Sequence, residues 1–535
     1  MEAFRNYTQP KWRICGCESS TLSKKSLSRN SFIYTTLLCS KLSSPSAHYS
    51  QTPITMDSMK ASFHHCLPQH SDVSIIHRMQ SSMIHLAEDI SDLVVREISK
   101  NNQPLHSKLD LLQKLTAIEA TPLPSPRIEI SENWREFHGA TDYSNLLDPL
   151  HPVLRKELIK YGEFAQATYD AFDFDPVSEY CGSCRYNPRK FFDEVGLSDS
   201  GYVITKYIYA MYHVDVPSWL KMSSQINKWS KSSNWMGFIA VSDDVESQRI
   251  GRRDICVSWR GTKTPSEMYG DIQSTLEPIG YGCSQVKAEY GFLHIYTSKD
   301  EGCRYNKKSA SEQVMQEIQR LVNLYRKKGE EVSLTITGHS LGGALAILNA
   351  YEVGYTVSDL PIHVISFGAP RVGNVAFRDE LNKMGVKTLR IVVKQDFVPK
   401  LPGTILNEGL KKFEVLKEEL SWFYIHVGHE LKLSVKSSPF LKHGFNNSLG
   451  FHSLQTYLHL LDGYVSPLLP FGPNARRDVA LVNKGCGMLR DELKIPKAWY
   501  QMEHKGLVRN AYGRWVKRTR NPEDIPTDQG EEVIL

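Results

Sequence analysis

Long apolar runs and a cysteine framework are both missing from this sequence of 535 residues. No stretch approaches the roughly 20 apolar residues that span a bilayer, which predicts a soluble or peripherally membrane-bound protein. The ten cysteines are spread along the chain without the spacing of a disulfide scaffold or a zinc site. One CxxC pair, Cys181 and Cys184, stands alone. We interpret it as an ordinary loop or, at most, a redox-sensitive pair.

The body of the protein also lacks an excess of charge of either sign. Residues 1–55 hold seven basic and two acidic residues, which accounts for the whole formal net charge of +5. The remainder is therefore neutral and has no basic surplus of the kind that nucleic-acid-binding proteins carry. Nucleic acid is excluded as a partner.

Acidic residues are absent between Glu18 and Asp57, and the first 55 residues contain eleven serines. A basic, serine-rich, acid-poor N-terminus is typical of an organellar transit peptide. The stretch Phe32–Cys39 is too polar to form the core of a secretory signal. We predict a transit peptide at residues 1–55, with a disordered tail as the alternative. If translation starts at Met56, this segment is lost and the protein is expected in the cytoplasm.

Residues 56–133 are predicted to form a helical extension and a linker. In Met79–Lys100 and Leu105–Ala120 apolar residues recur at helical spacing. The proline-rich stretch 121–126 then marks the linker. The catalytic domain is expected at residues 134–520, followed by a polar tail at residues 521–535.

From about residue 250 onwards, predicted strands alternate with predicted helices. A capping box at Ser309 and Glu312 marks the start of one helix. The alternation predicts an α/β fold with a mainly parallel sheet covered by helices on both faces. The predicted strands are 254–259, 333–338, 363–367, 388–393 and 423–433, and the predicted helices include 309–328, 341–353 and 374–384.

The strongest chemical signal is the pentapeptide Gly338–Gly342 (GHSLG). It fits the G-x-S-x-G nucleophile elbow of the α/β-hydrolase fold, in which a serine occupies a sharp turn between a strand and a helix. The glycines are needed because a Cβ atom would clash within that turn. We predict Ser340 to be a nucleophile, since a serine that only capped the helix would not explain both glycines.

A serine nucleophile needs a histidine base, and the base needs an orienting carboxylate. In this fold the carboxylate follows the serine and the histidine comes last. Asp396 follows the predicted strand 388–393 and is favoured over Asp379, which is predicted to lie in a helix. His452, at the junction of a predicted loop and helix, is the leading histidine, but the residues alone leave others open. The candidates are His426, His429, His443, His452, His459 and His504.

Backbone N–H groups are needed to stabilise the oxyanion of a tetrahedral intermediate. Leu341, directly after the nucleophile, is expected to provide one such donor. Thr262, in the loop after the predicted strand 254–259, is expected to provide the second. Asp271 is close enough in sequence to brace this loop, although a solvated surface acid fits the spacing nearly as well.

As a set, these motifs resemble the class 3 lipases, and within them the plant class I phospholipase A1 enzymes, in particular the plastid-targeted gamma group. The resemblance covers about Trp134 to Trp515. The lipase motifs are Arg260–Thr262 (RGT), Gly338–Gly343 (GHSLGG), Phe367–Asn374 (FGAPRVGN), Asp396–Pro399 and Tyr424–Gly428 (YIHVG). The phospholipase motifs include Tyr161–Gln166, Tyr180–Cys184, Asn234–Gly237, Tyr457–Tyr464 and Val482–Lys484.

The resemblance implies a triad of Ser340, Asp396 and His452, and so supports the histidine that the residues alone left open. It also implies an oxyanion loop at Thr262 and a lid within Lys263–Gly282. No metal and no organic cofactor is implied.

The implied reaction is hydrolysis of the sn-1 acyl ester of glycerolipids at a membrane surface in the chloroplast. The implied substrates are phosphatidylcholine, galactolipids and, less readily, triacylglycerol. Met268 stands in the expected lid where similar enzymes usually carry tryptophan, a departure that bears on substrate preference rather than on catalysis.

Two alternative functions are compatible with the same fold. A catalytically inactive, lipase-like signalling scaffold would be expected to have a damaged triad or oxyanion loop, and every element is intact in this sequence. A serine esterase of other specificity, including a peptidase or an acyltransferase, would need only a different substrate pocket. The sequence does not predict the oligomeric state.

Overall fold

The computed structural model describes residues 130–526, apart from 176–177, 212–232, 263–274, 281–283, 404–422, 445–447, 468, 473–474, 502–506 and 518. The predictions for the transit peptide, for the two amphipathic helices and for most of the linker lie outside these residues. Residues 527–535 of the predicted tail also lie outside them.

A seven-stranded sheet lies at the centre of the described part of the chain. Its strands lie side by side in chain order. The first three pair antiparallel, and each later strand pairs parallel with its predecessor. The prediction of a mainly parallel sheet is therefore confirmed. The strands are Tyr202–Met211 (β1), Ser233–Ser242 (β2), Arg253–Trp259 (β3), Val332–His339 (β4), Ile362–Phe367 (β5), Lys387–Val393 (β6) and His429–Leu433 (β7).

Helices surround this sheet, and none within the described residues is both long and apolar enough to cross a membrane. The helices are Ile130–Phe137 (α1), Pro152–Asp170 (α2), Phe191–Glu194 (α3), Asp244–Ile250 (α4), Tyr290–Thr297 (α5), Ala310–Lys327 (α6), Leu341–Thr356 (α7), Val375–Lys383 (α8), Ser448–His452 (α9) and Leu454–Asp462 (α10).

Buried side chains form two hydrophobic clusters. One cluster joins α2 and α10 to the sheet, and the other joins α5, α6, α7 and α8 to it. Neighbouring residues of a strand point to opposite faces, and in β5 Val364 belongs to the second cluster whereas Ile365 belongs to the first. Each face of the sheet therefore has its own hydrophobic core, as the prediction of double coverage requires.

The predicted capping box is present at the start of α6. The Glu312 backbone N–H donates to the Ser309 hydroxyl at 3.1 Å, and the Ser309 N–H donates to the Glu312 carboxylate at 2.8 Å. These bonds satisfy backbone donors that a helix start would otherwise leave unpaired. The local sequence therefore defines where α6 begins.

The strand predicted at 423–433 is wrong in its first half, since β7 begins only at His429. Gly428 precedes it with a φ of 76°, which breaks the extended conformation. A Cβ atom at Gly428 would lie 2.2 Å from the backbone oxygen of Thr388 in β6. The chain therefore bends at this glycine before it joins the sheet.

No strand was predicted before residue 250, so β1 and β2 were missed. All ten residues of β2 are buried. A strand that is buried on both faces has no period-two alternation of polar and apolar residues by which it could be recognised. The first predicted strand, 254–259, corresponds to β3, which is also the first strand that pairs parallel with its successor.

Candidate active site

Ser340 lies on the turn that joins β4 to α7. Its φ of 59° and ψ of −127° form a conformation that residues other than glycine rarely adopt. Its backbone N–H donates to the backbone oxygen of Phe367, at the end of β5, at 2.9 Å. Its side chain makes no capping hydrogen bond to the described residues of α7. Capping therefore does not account for this serine.

The turn leaves no room for side chains at the two flanking glycines. A Cβ atom at Gly338 would lie 2.3 Å from the backbone oxygen of Gly342. A Cβ atom at Gly342 would lie 2.3 Å from the backbone oxygen of Trp259, the last residue of β3. The two glycines let α7 start tightly against the ends of β3 and β4, which fixes the place of Ser340 at the edge of the sheet.

His452 and Asp396 meet at the same edge. His452 ends the short helix α9, and Asp396 follows β6. The Nδ1 atom of His452 lies 2.6 Å from the Oδ2 atom of Asp396, and both residues are buried. An acidic acceptor at this distance orients the imidazole and favours the tautomer with its proton on Nδ1.

Two further donors hold the carboxylate of Asp396. The Tyr457 hydroxyl, from α10, donates to Oδ2 at 2.6 Å. The Val398 backbone N–H donates to Oδ1 at 3.0 Å. Burial, and then the negative charge of Asp396, raise the pKa of Tyr457 well above its ordinary value, so the hydroxyl stays protonated as a donor. Both oxygens of this buried carboxylate are therefore satisfied.

The Nε2 atom of His452 is buried and has no hydrogen-bond partner among the described residues. A buried polar atom without a partner is costly unless a function uses it. Nε2 is the ring nitrogen opposite the one that Asp396 holds. It is therefore the atom that can accept a proton from a nucleophile.

His339, the residue before Ser340, packs against His452 with a distance of 4.6 Å between the ring centroids. Its Nε2 atom donates to the backbone oxygen of His452 at 2.8 Å. Its Nδ1 atom lies 2.8 Å from the hydroxyl of Tyr169 in α2. Burial, and then the neighbouring His452, lower the pKa of His339 well below its ordinary value.

The predicted oxyanion loop begins where β3 ends, and the buried side chain of Arg260 anchors it. Its Nε atom donates to the backbone oxygen of Trp235 at 2.9 Å, and one guanidinium nitrogen donates to the backbone oxygen of Gly261 at 2.9 Å. The guanidinium also lies 3.7 Å from the ring centroid of Phe172. The backbone that leads into Thr262 is therefore held firmly against β2.

Leu341, the other predicted oxyanion donor, is the first residue of α7. The N–H groups in the first turn of a helix have no intrahelical acceptor, and they form the positive end of the helix dipole. The Leu341 N–H thus belongs to the class of backbone donors that can bind an anion at the elbow.

Of the candidate histidines that the structure describes, His452 is the one that makes a hydrogen bond to Asp396. His426 donates to the backbone oxygen of Pro399, and burial, followed by Arg390, lowers its pKa well below the ordinary value. His459 contacts the hydroxyl of Ser438 at 2.8 Å. His429 and His443 are exposed, and His504 lies outside the described residues.

The competing carboxylate Asp379 is on the surface. Its side chain is 55% exposed and pairs with Arg378 on α8. Asp271 and Met268 lie outside the described residues, as does most of the predicted lid, of which only residues 275–280 are described. No group of three or more potential metal ligands occurs in the described part of the chain.

Sequence reasoning missed three residues that support this site: Tyr169, His339 and Tyr457. His339 stands inside the elbow motif, and Tyr457 belongs to a motif that carried the family resemblance. Their contacts to His452 and Asp396, however, join segments far apart in the chain. Tyr169 is one of many aromatic residues in a helix, and no local pattern marks it.

The profile of the lipase (class 3) family matches residues 256–406. Phospholipase A1-Igamma1, chloroplastic, of Arabidopsis thaliana is 46% identical over 407 residues, covering 73% of this chain and 79% of that protein. Phospholipase A1 EG1, chloroplastic/mitochondrial, of Oryza sativa subsp. indica is 43% identical over 339 residues, covering 62% and 74%. Phospholipase A1-II 1 of the same subspecies is 38% identical over 402 residues, covering 72% and 95%.

Among solved structures, the lipase from Rhizopus microsporus var. chinensis is similar at 20% identity. The alignment covers 58% of this chain and 88% of that chain, with a TM-score of 0.35.

The fold and the profile match define an enzyme of the α/β-hydrolase class, a serine-type carboxylic ester hydrolase. The chain belongs to the class 3 lipase family and, within it, to the plant class I phospholipase A1 group that its motifs resemble.

Proposed function

We propose that this enzyme hydrolyses acyl esters of membrane glycerolipids through an acyl-enzyme formed on Ser340. The observation that carries the proposal is the contact of His452 with Asp396 at 2.6 Å, which leaves the opposite ring nitrogen of His452 buried and unpartnered among the described residues. That arrangement, at the edge of the sheet where the strained Ser340 turn lies, fits a base that is oriented for a serine nucleophile.

In the proposed reaction His452 Nε2 accepts the proton of the Ser340 hydroxyl as its oxygen attacks the ester carbonyl. The tetrahedral intermediate then collapses, and the alcohol leaves with the proton held by His452. A water molecule attacks the acyl-enzyme in the same way, releases the fatty acid and restores Ser340. Asp396 stabilises the imidazolium form of His452 in both steps.

The oxyanion of each intermediate is proposed to bind the backbone N–H groups of Leu341 and Thr262. The positive end of the α7 dipole supports a negative charge at Leu341. The anchored side chain of Arg260 fixes the loop before Thr262. Preorganised donors of this kind are each worth about 10²–10³ in turnover in a serine protease. The bracing role of Asp271 remains a prediction.

A lipid is the proposed acyl donor. Phe397 and Leu449 are large apolar side chains that are more than 40% exposed, and in sequence they flank Asp396 and His452. Exposed apolar side chains near a reactive centre fit a substrate that is itself apolar. The similar proteins are named phospholipases A1, which supports cleavage at the sn-1 position.

We further propose that the substrates are phosphatidylcholine and galactolipids, with triacylglycerol attacked more slowly, and that the enzyme acts in the chloroplast. The names of two of the similar proteins include "chloroplastic", and the composition of residues 1–55 points the same way. A fusion of residues 1–55 to a fluorescent protein should enter chloroplasts, and a chain starting at Met56 should stay in the cytoplasm.

The test of the substrate uses lipids with different acyl chains at sn-1 and sn-2, and mass spectrometry of the products. We expect release of the sn-1 chain and accumulation of 2-acyl lyso lipid. Predominant release of the sn-2 chain, or activity confined to short soluble esters, would contradict the phospholipase A1 proposal and favour an esterase of other specificity.

Ser340→Ala is the matched control for the chemistry. It should remove both lipid hydrolysis and labelling by a fluorophosphonate probe while the protein remains folded. A wild-type protein that binds lipid but neither hydrolyses it nor reacts with the probe would instead be an inactive scaffold.

A further inference from the structure

A β-hairpin near the C-terminus concentrates exposed apolar side chains. Its strands Leu507–Arg509 and Trp515–Lys517 pair antiparallel, and we name residues 507–517 the C-terminal hairpin. Of the twelve large apolar side chains that are exposed in the described part of the chain, five belong to this hairpin. They are Leu507, Val508, Tyr512, Trp515 and Val516. Such clustering on the surface of a protein marks an interaction site.

The hairpin exposes side chains on both of its faces. Arg509 pairs with Trp515, and Val508 pairs with Val516, so these two cross-strand pairs point to opposite sides. All four residues are exposed. A two-stranded hairpin without a packed face is marginally stable by itself in water. The hairpin therefore has apolar surface available for a partner.

The turn of the hairpin holds an aromatic side chain at its tip. The Asn510 side-chain oxygen accepts hydrogen bonds from the backbone N–H groups of Tyr512 at 3.0 Å and Arg514 at 2.9 Å. Gly513 completes the turn with a φ of 76°. Tyr512 is 89% exposed at this tip. The backbone thus presents Tyr512 outwards in a defined position.

The charged residues within the hairpin sequence are all basic. Arg509 and Arg514 are exposed within the hairpin. The sequence contains no acidic residue between Glu503 and Glu523. The side chain of Arg520, by contrast, is only 6% exposed and pairs with Asp173 at 2.7 Å, so it anchors the segment after the hairpin to the body of the protein. The hairpin is therefore a cationic, aromatic projection next to an anchored stretch.

We propose that the C-terminal hairpin docks the enzyme on an anionic lipid surface. Tryptophan and tyrosine prefer the boundary between headgroups and acyl chains, aliphatic side chains insert below them, and arginines bind lipid phosphates or other anionic headgroups. Trp515 and Tyr512 supply the aromatic part, and Arg509 and Arg514 supply the charge. The proposal goes beyond the proposed catalytic function, because it involves neither Ser340 nor His452.

The test measures sedimentation of the full chain with vesicles of phosphatidylcholine alone, or with added phosphatidylglycerol. We expect stronger binding to the anionic vesicles, weakened by salt. Arg509→Gln with Arg514→Gln should weaken that binding about thirtyfold, since each basic residue near an anionic surface contributes about fivefold. Tyr512→Ser with Trp515→Ser should weaken binding at least about tenfold through lost apolar burial.

Matched controls distinguish binding through the hairpin from attraction that depends only on the net charge of the protein, to which the basic residues 1–55 also contribute. Lys307→Gln with Lys308→Gln removes the same net charge from an exposed loop, and Tyr355→Ser removes an exposed aromatic residue from α7. Both controls should leave vesicle binding close to that of the wild type. Hydrolysis of a short soluble ester should be unchanged in every variant, because none of these residues belongs to the candidate active site.

A local readout comes from Trp515. Adding anionic vesicles should shift its fluorescence to shorter wavelength, seen as the difference between the wild type and Trp515→Phe, which keeps an apolar ring. Hairpin variants that bind vesicles as tightly as the wild type, or hairpin and control variants that weaken binding equally, would overturn the proposal. Ser340→Ala should still bind vesicles, because docking does not involve the nucleophile. A wild-type protein that binds vesicles without hydrolysing lipid would count against the proposed function and not against docking.

Discussion

The imidazole of His339 donates from Nε2 to the backbone oxygen of His452, at 2.8 Å. A carbonyl oxygen only accepts, so the proton of His339 must be on Nε2, and Nδ1 must accept from the hydroxyl of Tyr169. The lowered pKa of His339 keeps the ring neutral near pH 7, where this tautomer satisfies both nitrogens. Tyr169 of α2 thereby holds the His339 ring, and the His339 ring holds the backbone of His452, the candidate base.

Tyr169→Phe should lower turnover because it releases this contact without removing a proposed catalytic group. A loosened base is misplaced by a fraction of an ångström, and misplacement by about 1 Å can cost on the order of 10²-fold in rate. We expect kcat on a soluble ester to fall roughly tenfold, with KM little changed. Steady-state kinetics would measure both values.

The matched control is Tyr355→Phe, which removes a hydroxyl from an exposed tyrosine of α7 and should leave kcat unchanged. The contact is irrelevant to catalysis if Tyr169→Phe retains wild-type kcat. A rise in KM with constant kcat would instead assign Tyr169 to substrate binding.

Tyr457 donates to the same oxygen of Asp396 that His452 contacts. Tyr457→Phe should therefore destabilise the protein by about 1.5–3 kcal/mol, the usual contribution of a hydrogen bond to a charged group. It should also lower kcat, since the carboxylate is left less firmly placed. Chemical unfolding and steady-state kinetics would measure the two effects. An unchanged unfolding midpoint would show that the hydroxyl is replaced by another donor.

Much of the fold could be predicted because its signals are local. Strand 333–338 and the capping box at Ser309 are readable from a few neighbouring residues, and β4 and α6 follow them within one or two positions. Strand β2 was not readable, because burial on both faces removes the alternation. The start of the strand predicted at 423–433 was wrong because it depends on a bend at Gly428 that forms against β6.

The residues of the candidate site also fall into those that the local sequence predicts and those that only long-range packing brings together. The elbow around Ser340 is encoded in consecutive residues, and Asp396 follows its strand, so both could be located by order along the chain. The histidine could not be chosen by order, because six histidines follow Asp396 and only packing brings His452 to it. The contact of Tyr169 with His339 joins residues 170 positions apart, so no short pattern contains it.

Substitution of two histidines separates the proposed base from a packed neighbour. His452→Ala should lower kcat by several orders of magnitude, because a serine without a base is a weak nucleophile. His459→Ala should act mainly on stability, since His459 is buried and its ring contacts Ser438 instead of Asp396. Kinetics and thermal unfolding of both variants would test this. Near-normal kcat in His452→Ala would make the triad as proposed wrong.

Buried neutral histidines should make the protein sensitive to acid. Burial, followed by the positive charge of Arg477, lowers the pKa of His459 to about 4. Burial, followed by Arg252, lowers the pKa of His363 to about 3. An unfolded histidine has a pKa of about 6.5. Between the folded pKa of each histidine and the unfolded pKa of about 6.5, the unfolded chain binds more protons than the folded protein. The resulting stability is therefore fully present above about pH 6.5 and is lost as the pH falls through the folded pKa.

His459→Gln tests this linkage at one position. Each histidine that is neutral when folded and protonated when unfolded adds up to about 1.4 kcal/mol per pH unit to the slope of stability against pH. The variant should therefore show a shallower loss of stability between about pH 6.5 and 4. Ser438→Ala is the matched control: it removes the partner of His459 but keeps the imidazole, so it should lower stability at neutral pH and leave a steep acid slope. The measurement is the free energy of unfolding in urea across this pH range. Equal slopes for the wild type and His459→Gln would mean that His459 takes up its proton as readily in the folded protein as in the unfolded chain.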